Sequence, residues 1–414
     1  MKRALACAAA VAAFAGCGGR ESDPPDSRPP AEPAPAVPGP IRAPDVERHL
    51  RAFERIARES GGNRAAGTPG EERTAAYVAE QLRAAGWRVR EQEVTFPVFE
   101  DRRPPIVGDL RRGRDFVVAE YSGSGMLRAR PRPFDSEACD AAALGDLSRD
   151  DVAIVARGTC TFREKALNAQ RAGAGALVVV DEEEDEPVAV TLGDPRAIDI
   201  PVIATTGPAA QRLARATGRV EIDVATVSEN RTTHNVLAET GPAERVVMAG
   251  AHLDSVEAGP GINDDGSGIA ALLEIAARLR DQPGLRLGFW TAEELGLFGS
   301  RHYVDELAHA ERERIVAYVN LDMVGTEGGD VDVYDTDDRI ERVLRDAIDE
   351  DGEDDLGGDS DHAPFDRAGI PIGGVFTGVD RCYHRRCDTA ANTDALLAAE
   401  IADDTRRALA RLAR

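Results

Sequence analysis

Residues 246–294 read VVMAGAHLDSVEAGPGINDDGSGIAALLEIAARLRDQPGLRLGFWTAEE, and their order of apolar and polar runs decides the fold. Val246–Ala251 and Leu285–Trp290 are short, continuously apolar runs of the kind that form buried strands. Between them the spacing predicts a helix near Gly268–Arg280, so the unit is strand, helix, strand. Such a unit brings its two strands together in parallel, with the helix packed on one face. Working outward, two more buried-type strands are expected at Ile315–Leu321 and Ile370–Phe376, with helices near Arg339–Glu350 and Asp394–Leu412. Upstream, Val46, Leu50, Phe53 and Ala57 recur at helical spacing, as do Ala75, Val78, Leu82 and Ala85 before Gly86. A strand at about Trp87–Phe96 follows, and a Pro/Arg-rich patch from Pro97 to Pro105 breaks the pattern. The expected class is α/β: a mixed, largely parallel central sheet covered by helices on both faces. Ligands of such sheets gather where loops leave the carboxyl ends of the strands.

Polar residues stand at those ends. After the Val246 strand come His252 and Asp254, which point to the same side of an extended segment. A histidine beside a carboxylate suits a metal ligand oriented by an acceptor, and it equally describes a surface pair. Gly261-Ile262-Asn263-Asp264-Asp265-Gly266-Ser267-Gly268 offers hard anionic oxygens on a tight backbone, or an acidic turn capping a helix. Thr291-Ala292-Glu293-Glu294 contains a capping box, Thr291-x-x-Glu294, yet its adjacent carboxylates point different ways. Asp322 ends an apolar strand, where a charge is costly unless paired or metal-bound. Cys382-Tyr383-His384-Arg385-Arg386-Cys387-Asp388 is a C-x4-C that could bind zinc; in an exported chain it reads as a local disulfide presenting His384.

Taken together, His252, Asp264, the Glu293–Glu294 pair, Asp322 and His384 resemble, in order, the site residues of the co-catalytic di-zinc aminopeptidases, family-28 metallopeptidases. The flanking text GINDDGSG, TAEELGLFGS, VNLDMVG, SDHAPF (Ser360–Phe365) and CYHRRCDT is similar as well. The resemblance spans Asp45 to about Phe96 and Arg231 to Arg414. It implies two Zn²⁺ per chain: Asp264 bridging, His252 and Asp322 completing one site, Glu294 and His384 the other. It further implies a metal-bound water as attacking group, Glu293 as general base, Asp254 holding His252, and a cis peptide between Asp264 and Asp265. Tyr383 is then either the donor to the developing oxyanion or a packing aromatic beside the disulfide. His362 in SDHAPF is expected to line the pocket without being a ligand. The implied reaction is removal of N-terminal residues from peptides or proteins. The competing readings are a carboxypeptidase of the same fold, similar to glutamate carboxypeptidase, and a receptor-like binding protein without catalysis. The complete ligand set speaks against the latter and against a single-zinc glutaminyl cyclase.

Between Ile106 and Val227 the chain has its own strands (Val152–Ala156, Leu177–Val180, Val202–Ala204, Val220–Val224) and a helix near Thr161–Ala172. Cys139, Ile154-Val155-Ala156-Arg157-Gly158-Thr159-Cys160 and Asn168-Ala169-Gln170-Arg171-Ala172-Gly173-Ala174 resemble a protease-associated (PA) domain, which implies a Cys139–Cys160 disulfide. The expected organisation is therefore a peptidase domain at 45–105 and 228–414, interrupted by a small α/β insert at 106–227.

At the N-terminus, Lys2 and Arg3 precede an apolar run too short to span a bilayer. Phe14-Ala15-Gly16-Cys17 resembles a lipobox, which makes 1–16 a lipoprotein signal peptide and Cys17 the acylated residue; cleavage after Ala13-Phe14-Ala15 is the alternative. With Cys7 removed and Cys17 acylated, four cysteines remain to pair, whereas the alternative leaves an odd thiol. Either way the protein is exported, as an envelope lipoprotein or as a secreted protein. Residues 17–44 form a proline-rich tether, since 9 of the 24 prolines fall in 18–44. With 74 acidic against 50 basic residues the net charge is −24, which repels phosphate and excludes nucleic acid as a partner. Membrane contact is expected through the lipid anchor only, and oligomeric state is not readable.

Overall fold

Ile41 is where the apolar pattern first becomes a packed structure. The computed structural model describes residues 39–334, 336–348, 352–354 and 358–414; the leader, Cys17 and most of the proline-rich segment lie outside them. Ile41 is buried, and its amide donates to Asp403 at 3.1 Å. Helix α1 (Ala43–Glu59) begins two residues before the expected boundary, because Pro44 falls in its first turn, where no intrahelical N–H is needed. Helix α2 (Pro69–Ala84) and strand β1 (Arg88–Asp101) follow. The chain then enters a second layer system through β2 (Ile106–Val107), β3 (Phe116–Val118), β4 (Gly125–Pro133), β5 (Asp151–Ala156), α3 (Phe162–Arg171), β6 (Ala176–Asp181), β7 (Val202–Thr206), α4 (Gly207–Ala214) and β8 (Val220–Val224). It returns on β9 (Thr226–Glu239), β10 (Val246–His252), α5 (Gly266–Leu279), β11 (Leu285–Trp290), α6 (Phe298–Glu306), α7 (His309–Arg314) and β12 (Ile315–Leu321). The last elements are β13 (Asp332–Tyr334), α8 (Asp338–Ile348), β14 (Gly352–Asp354), α9 (His362–Arg367), β15 (Ile372–Phe376) and α10 (Ala395–Leu412).

The main sheet has the order β1-β9-β11-β10-β12-β15-β13-β14. Its centre, β11-β10-β12-β15, is parallel, and β9 and β13 join it antiparallel. From β10 the chain goes first to β11 on one side, then to β12 on the other, so the crevice opens at the end of β10. Helices α1, α5, α8 and α10 cover one face around Leu50, Phe53, Leu272 and Ile275. Helices α6 and α9 cover the other around Trp290, Tyr303, Tyr318 and Phe365. Nearly every residue of α5 is buried, because it is clamped between β10 and the α1–α10 pair. Truncating a side chain such as Leu272 there would cost about 2–5 kcal/mol.

Two local expectations are overturned. Strand β1 does not stop at Phe96 but runs through Pro97 to Asp101, paired with β9 throughout; β1 is an edge strand, where a missing N–H is tolerated. Thr291-x-x-Glu294 caps no helix: Thr291 Oγ1 donates to Glu71 instead, Ala292 and Leu297 take positive φ, and α6 starts only at Phe298.

The second sheet runs β2-β8-β4-β5-β6-β7-β3 between two apolar clusters. Cys139 and Cys160, in the segments that follow β4 and β5, are disulfide-bonded.

Candidate metal centre

Each chemical window lies where a central strand ends. His252 is the last residue of β10, Glu293 and Glu294 follow β11, Asp322 follows β12, and His384 follows β15. Asp264 sits at the turn that opens α5, and the Asp264–Asp265 peptide is cis. The two oxygens of Asp264 face different histidines: Oδ1 lies 3.1 Å from His252 Nε2, and Oδ2 lies 3.3 Å from His384 Nε2. Asp322 Oδ1 is 3.6 Å from His252 Nε2, and Glu294 Oε2 is 3.0 Å from His384 Nε2. The five side chains thus form two adjoining N/O clusters that share one carboxylate. Asp264 Oδ2 and Glu294 Oε1 are buried without a hydrogen-bond partner. Orphaned carboxylate oxygens beside imidazole nitrogens fit a divalent cation that accepts both donor types, as zinc does.

Asp265 also lies within ligand reach of His252 and Asp322, but its oxygens are already engaged. Oδ2 accepts from the His252 amide (3.0 Å), and Oδ1 from the amides of Gly268 (3.0 Å) and Met323 (3.3 Å). It therefore ties three ligand-bearing segments together. Asp254 stands beside His252, as the resemblance implies, but its carboxylate is not the nearer contact. Its carboxylate accepts the amides of Glu293 (3.1 Å) and Glu294 (3.3 Å), while its backbone oxygen lies 3.1 Å from His252 Nδ1, closer than the carboxylate at 3.7 Å. The side chain anchors the glutamate pair, and the main chain orients the histidine.

Both parts of the chain are similar to known proteins. The model for peptidase family M28 matches residues 235–409, and the PA domain model matches residues 122–213. An aminopeptidase of Pseudomonas aeruginosa is 33% identical, over 85% of this chain and 77% of its own length. The chain belongs to peptidase family M28. A probable lipoprotein aminopeptidase of Mycobacterium tuberculosis is 35% identical, over 80% of this chain and 73% of its own. The solved zinc aminopeptidase BSAP from Bacillus subtilis superposes with a TM-score of 0.62 at 26% identity, covering 91% of this chain and 96% of that one. This M28 chain is accordingly a peptide-bond hydrolase with a PA domain, built on the mixed α/β fold of those enzymes.

The electrostatics of the M28 site follow from its burial. Glu293 is pushed well above the ordinary carboxylate range by burial, with Asp361, Asp322 and Glu294 adding to the effect against the pull of His252. Burial likewise lifts Glu294 to about 7. For His384, the adjacent carboxylates of Asp264 and Glu294 raise the imidazole to about 10. Tyr383 is partly exposed and stacks on the His384 ring at 3.7 Å; burial and the surrounding carboxylates push its phenol upward, so it stays a proton donor. Cys382 and Cys387 are joined, closing the short loop that carries His384 at a φ of 57°.

Several supporting residues carried no signal of their own in the sequence. Asp388 accepts the amides of Asn263 (2.7 Å) and Asp264 (3.1 Å), fixing the bridging turn to the disulfide loop. Ser360 donates to Asp322 Oδ2 at 2.7 Å and accepts from Asn320, which in turn accepts from Tyr318. Asp361 is buried and lifted to about 7 by that burial, against His252. His362 packs edge-on against Tyr334, next to these residues and off the ligand set. Asp388, Ser360 and Asp361 stood inside quoted windows; only their long-range partners reveal what they do.

Proposed function

We propose that this M28 peptidase is an exported aminopeptidase working with two zinc ions. His252, Asp264 and Asp322 would hold one ion, and Asp264, Glu294 and His384 the other. The observation that carries this reading is the placement of Asp264 between the two histidines, one oxygen towards each, with Glu293 alongside. Zinc bound there supplies a Lewis acid for the scissile carbonyl and lowers the pKa of water. Glu293, held by Asp254 through its amide, takes the proton from the attacking water and hands it to the leaving amine. Tyr383 donates to the oxygen on which charge develops. The substrate's free α-amine is matched by the carboxylates of Glu293 and Asp322. The PA insert is assigned to 106–227 and the peptidase domain to 45–105 and 228–414.

Export and anchoring rest on the basic, apolar leader and on Cys17, and the lipoprotein named among the relatives supports them. Among the described residues no helix is long and apolar enough to cross a membrane; the proposed attachment is an acylated Cys17. The deciding experiment offers the purified protein two peptide sets. Peptides with a free N-terminus and amidated C-terminus should be cleaved, and N-acetylated peptides with a free C-terminus should not. The reverse pattern would replace aminopeptidase with carboxypeptidase. Elemental analysis should find about two zinc per chain, and at most one in active protein would end the two-metal reading.

A further inference from the structure

Arg64 lies in the connection between α1 and α2, far in sequence from every candidate ligand, and its side chain has no access to solvent. Among the described residues it is the one arginine buried so completely. An unpaired buried cation is costly, so its partners matter. All of its side-chain hydrogen bonds go to backbone carbonyls: Nε to Pro260 (2.9 Å), Nη1 to Leu253, and Nη2 to Gly261 (2.5 Å). Its amide donates to Ser255 Oγ at 2.9 Å, the Ser255 amide donates back to the Arg64 carbonyl at 3.3 Å, and Ser255 Oγ also reaches the Gly259 carbonyl. The guanidinium carbon stands 5.5 Å from the centre of the Phe53 ring.

Those carbonyls have a particular place in the chain. Leu253 directly follows His252, and Gly261 opens the turn that delivers Asp264. Arg64 therefore grips both ends of the segment joining two candidate ligands of the same ion. Gly261 needs φ +63°, and a Cβ there would come within 2.4 Å of Ser255 and 3.2 Å of Arg64 Nη2, so the grip also requires that glycine.

Four acidic side chains, Asp254, Asp388, Asp265 and Asp264, act on the guanidinium electrostatically, yet none takes a hydrogen bond from it. A planar fork satisfied by carbonyls leaves its charge in the site without occupying carboxylate oxygens. Asp264 Oδ2 and Glu294 Oε1 thus remain open for metal.

We propose that Arg64 is a positioning residue of the metal centre: it sets the separation of His252 and Asp264 and supplies fixed positive charge that lets several carboxylates crowd together before metal binds. This rests on the two-zinc reading above. The test uses the purified full chain stripped of metal and titrated with zinc against a competing chelator, for wild type, Arg64→Lys and Arg64→Ala, with thermal unfolding followed in parallel. Lysine keeps the charge but cannot bridge three carbonyls. Arg64→Lys should fold, bind zinc about 10–100-fold more weakly, and lose turnover number with little change in KM. Added guanidinium ion should restore part of the zinc affinity of Arg64→Ala, and ethylammonium should not. Wild-type zinc affinity and turnover in Arg64→Lys would overturn the proposal, as would equal rescue by both cations. If Arg64→Ala does not fold, Arg64→Lys decides alone. A wild type that binds no zinc would instead remove the two-zinc reading, an outcome separate from an Arg64 variant that binds as well as wild type.

Discussion

The two halves of the proposed metal centre are built differently. His252 and Asp322 stand on the ends of central parallel strands, with His252 almost wholly buried. Asp265 accepts the amides of His252 and of Met323, the residue after Asp322, and the Asn320–Ser360 chain holds the Asp322 carboxylate. Glu294 and His384 stand on irregular loops, and the His384 side chain keeps 39% of its surface exposed. What the sheet does for the first half, Asp254 and the Cys382–Cys387 bond do for the second. The difference teaches that the deep half is fixed by the fold itself, whereas the rim half depends on a few local ties that can be cut one at a time.

Glu293→Gln should have the largest effect, since the residue is read as the base beside both halves and a ligand of neither. Turnover should fall by about 10²–10⁴-fold with both metals retained. Loss of a metal in that variant would show that Glu293 belongs to a half-site. Tyr383→Phe comes next: with one donor to the oxyanion gone, kcat should fall by roughly 10²–10³-fold with zinc binding intact. An unchanged kcat would assign Tyr383 to packing against His384 alone. Replacing Cys382 and Cys387 by serine should weaken only the rim ion, by about 10–100-fold, visible as one weakened step in a zinc titration. If both steps weakened equally, the contrast between the halves would fail.

The smallest effect on catalysis is expected at Glu274, inside α5 behind the deep half. Burial opposes its charge, but hydrogen bonds from His49 and Arg278 overcome this and bring the carboxyl from 4.5 down to about 2. A group depressed on folding stabilises above its unfolded pKa and loses that contribution as the pH falls through its folded one. Glu274→Gln should therefore cost about 3 kcal/mol near neutrality, with the deficit shrinking below pH 4.5 and gone near 2. Thermal unfolding across that range measures it, and a deficit independent of pH would show that packing, not charge, is what the variant lost. Bound zinc should stay at the wild-type level.

The strand ends were legible because an apolar run that stops at a His or an Asp says where a buried strand meets its crevice. Each window alone left a bland alternative open, and the set His252, Asp264, Glu293–Glu294, Asp322, His384 was readable from one chain only through its resemblance to the family-28 metallopeptidases. The supporting residues were not, because their partners are distant: Asp388 serves amides 124 and 125 residues away, and Arg64 reaches carbonyls 189 to 197 residues on. Local rules also misled where tertiary structure outbid them. Thr291 spends its hydroxyl on Glu71 instead of a helix end, and Pro97 sits at a sheet edge that does not need its missing N–H. The proline-rich composition hid the start of α1, because Pro44 suits a first helical turn as well as it suits a tether.

Strands β1 and β9 pair residue by residue from Arg88↔Glu239 to Asp101↔Thr226, and the Arg102 amide still donates to Ala225 at 2.8 Å. The chain leaves for the second sheet and comes back through one doorway, two strands wide. Everything beyond that doorway is, topologically, the loop of a single hairpin. A two-residue turn such as Asn-Gly could close the ribbon just past Asp101 and Thr226, leaving the order of the central strands and every candidate ligand untouched. The architecture is that of a socket and a plug: the accessory module is entered and left through one strand pair, so its length places no demand on the order of the strands that carry the peptide-bond chemistry.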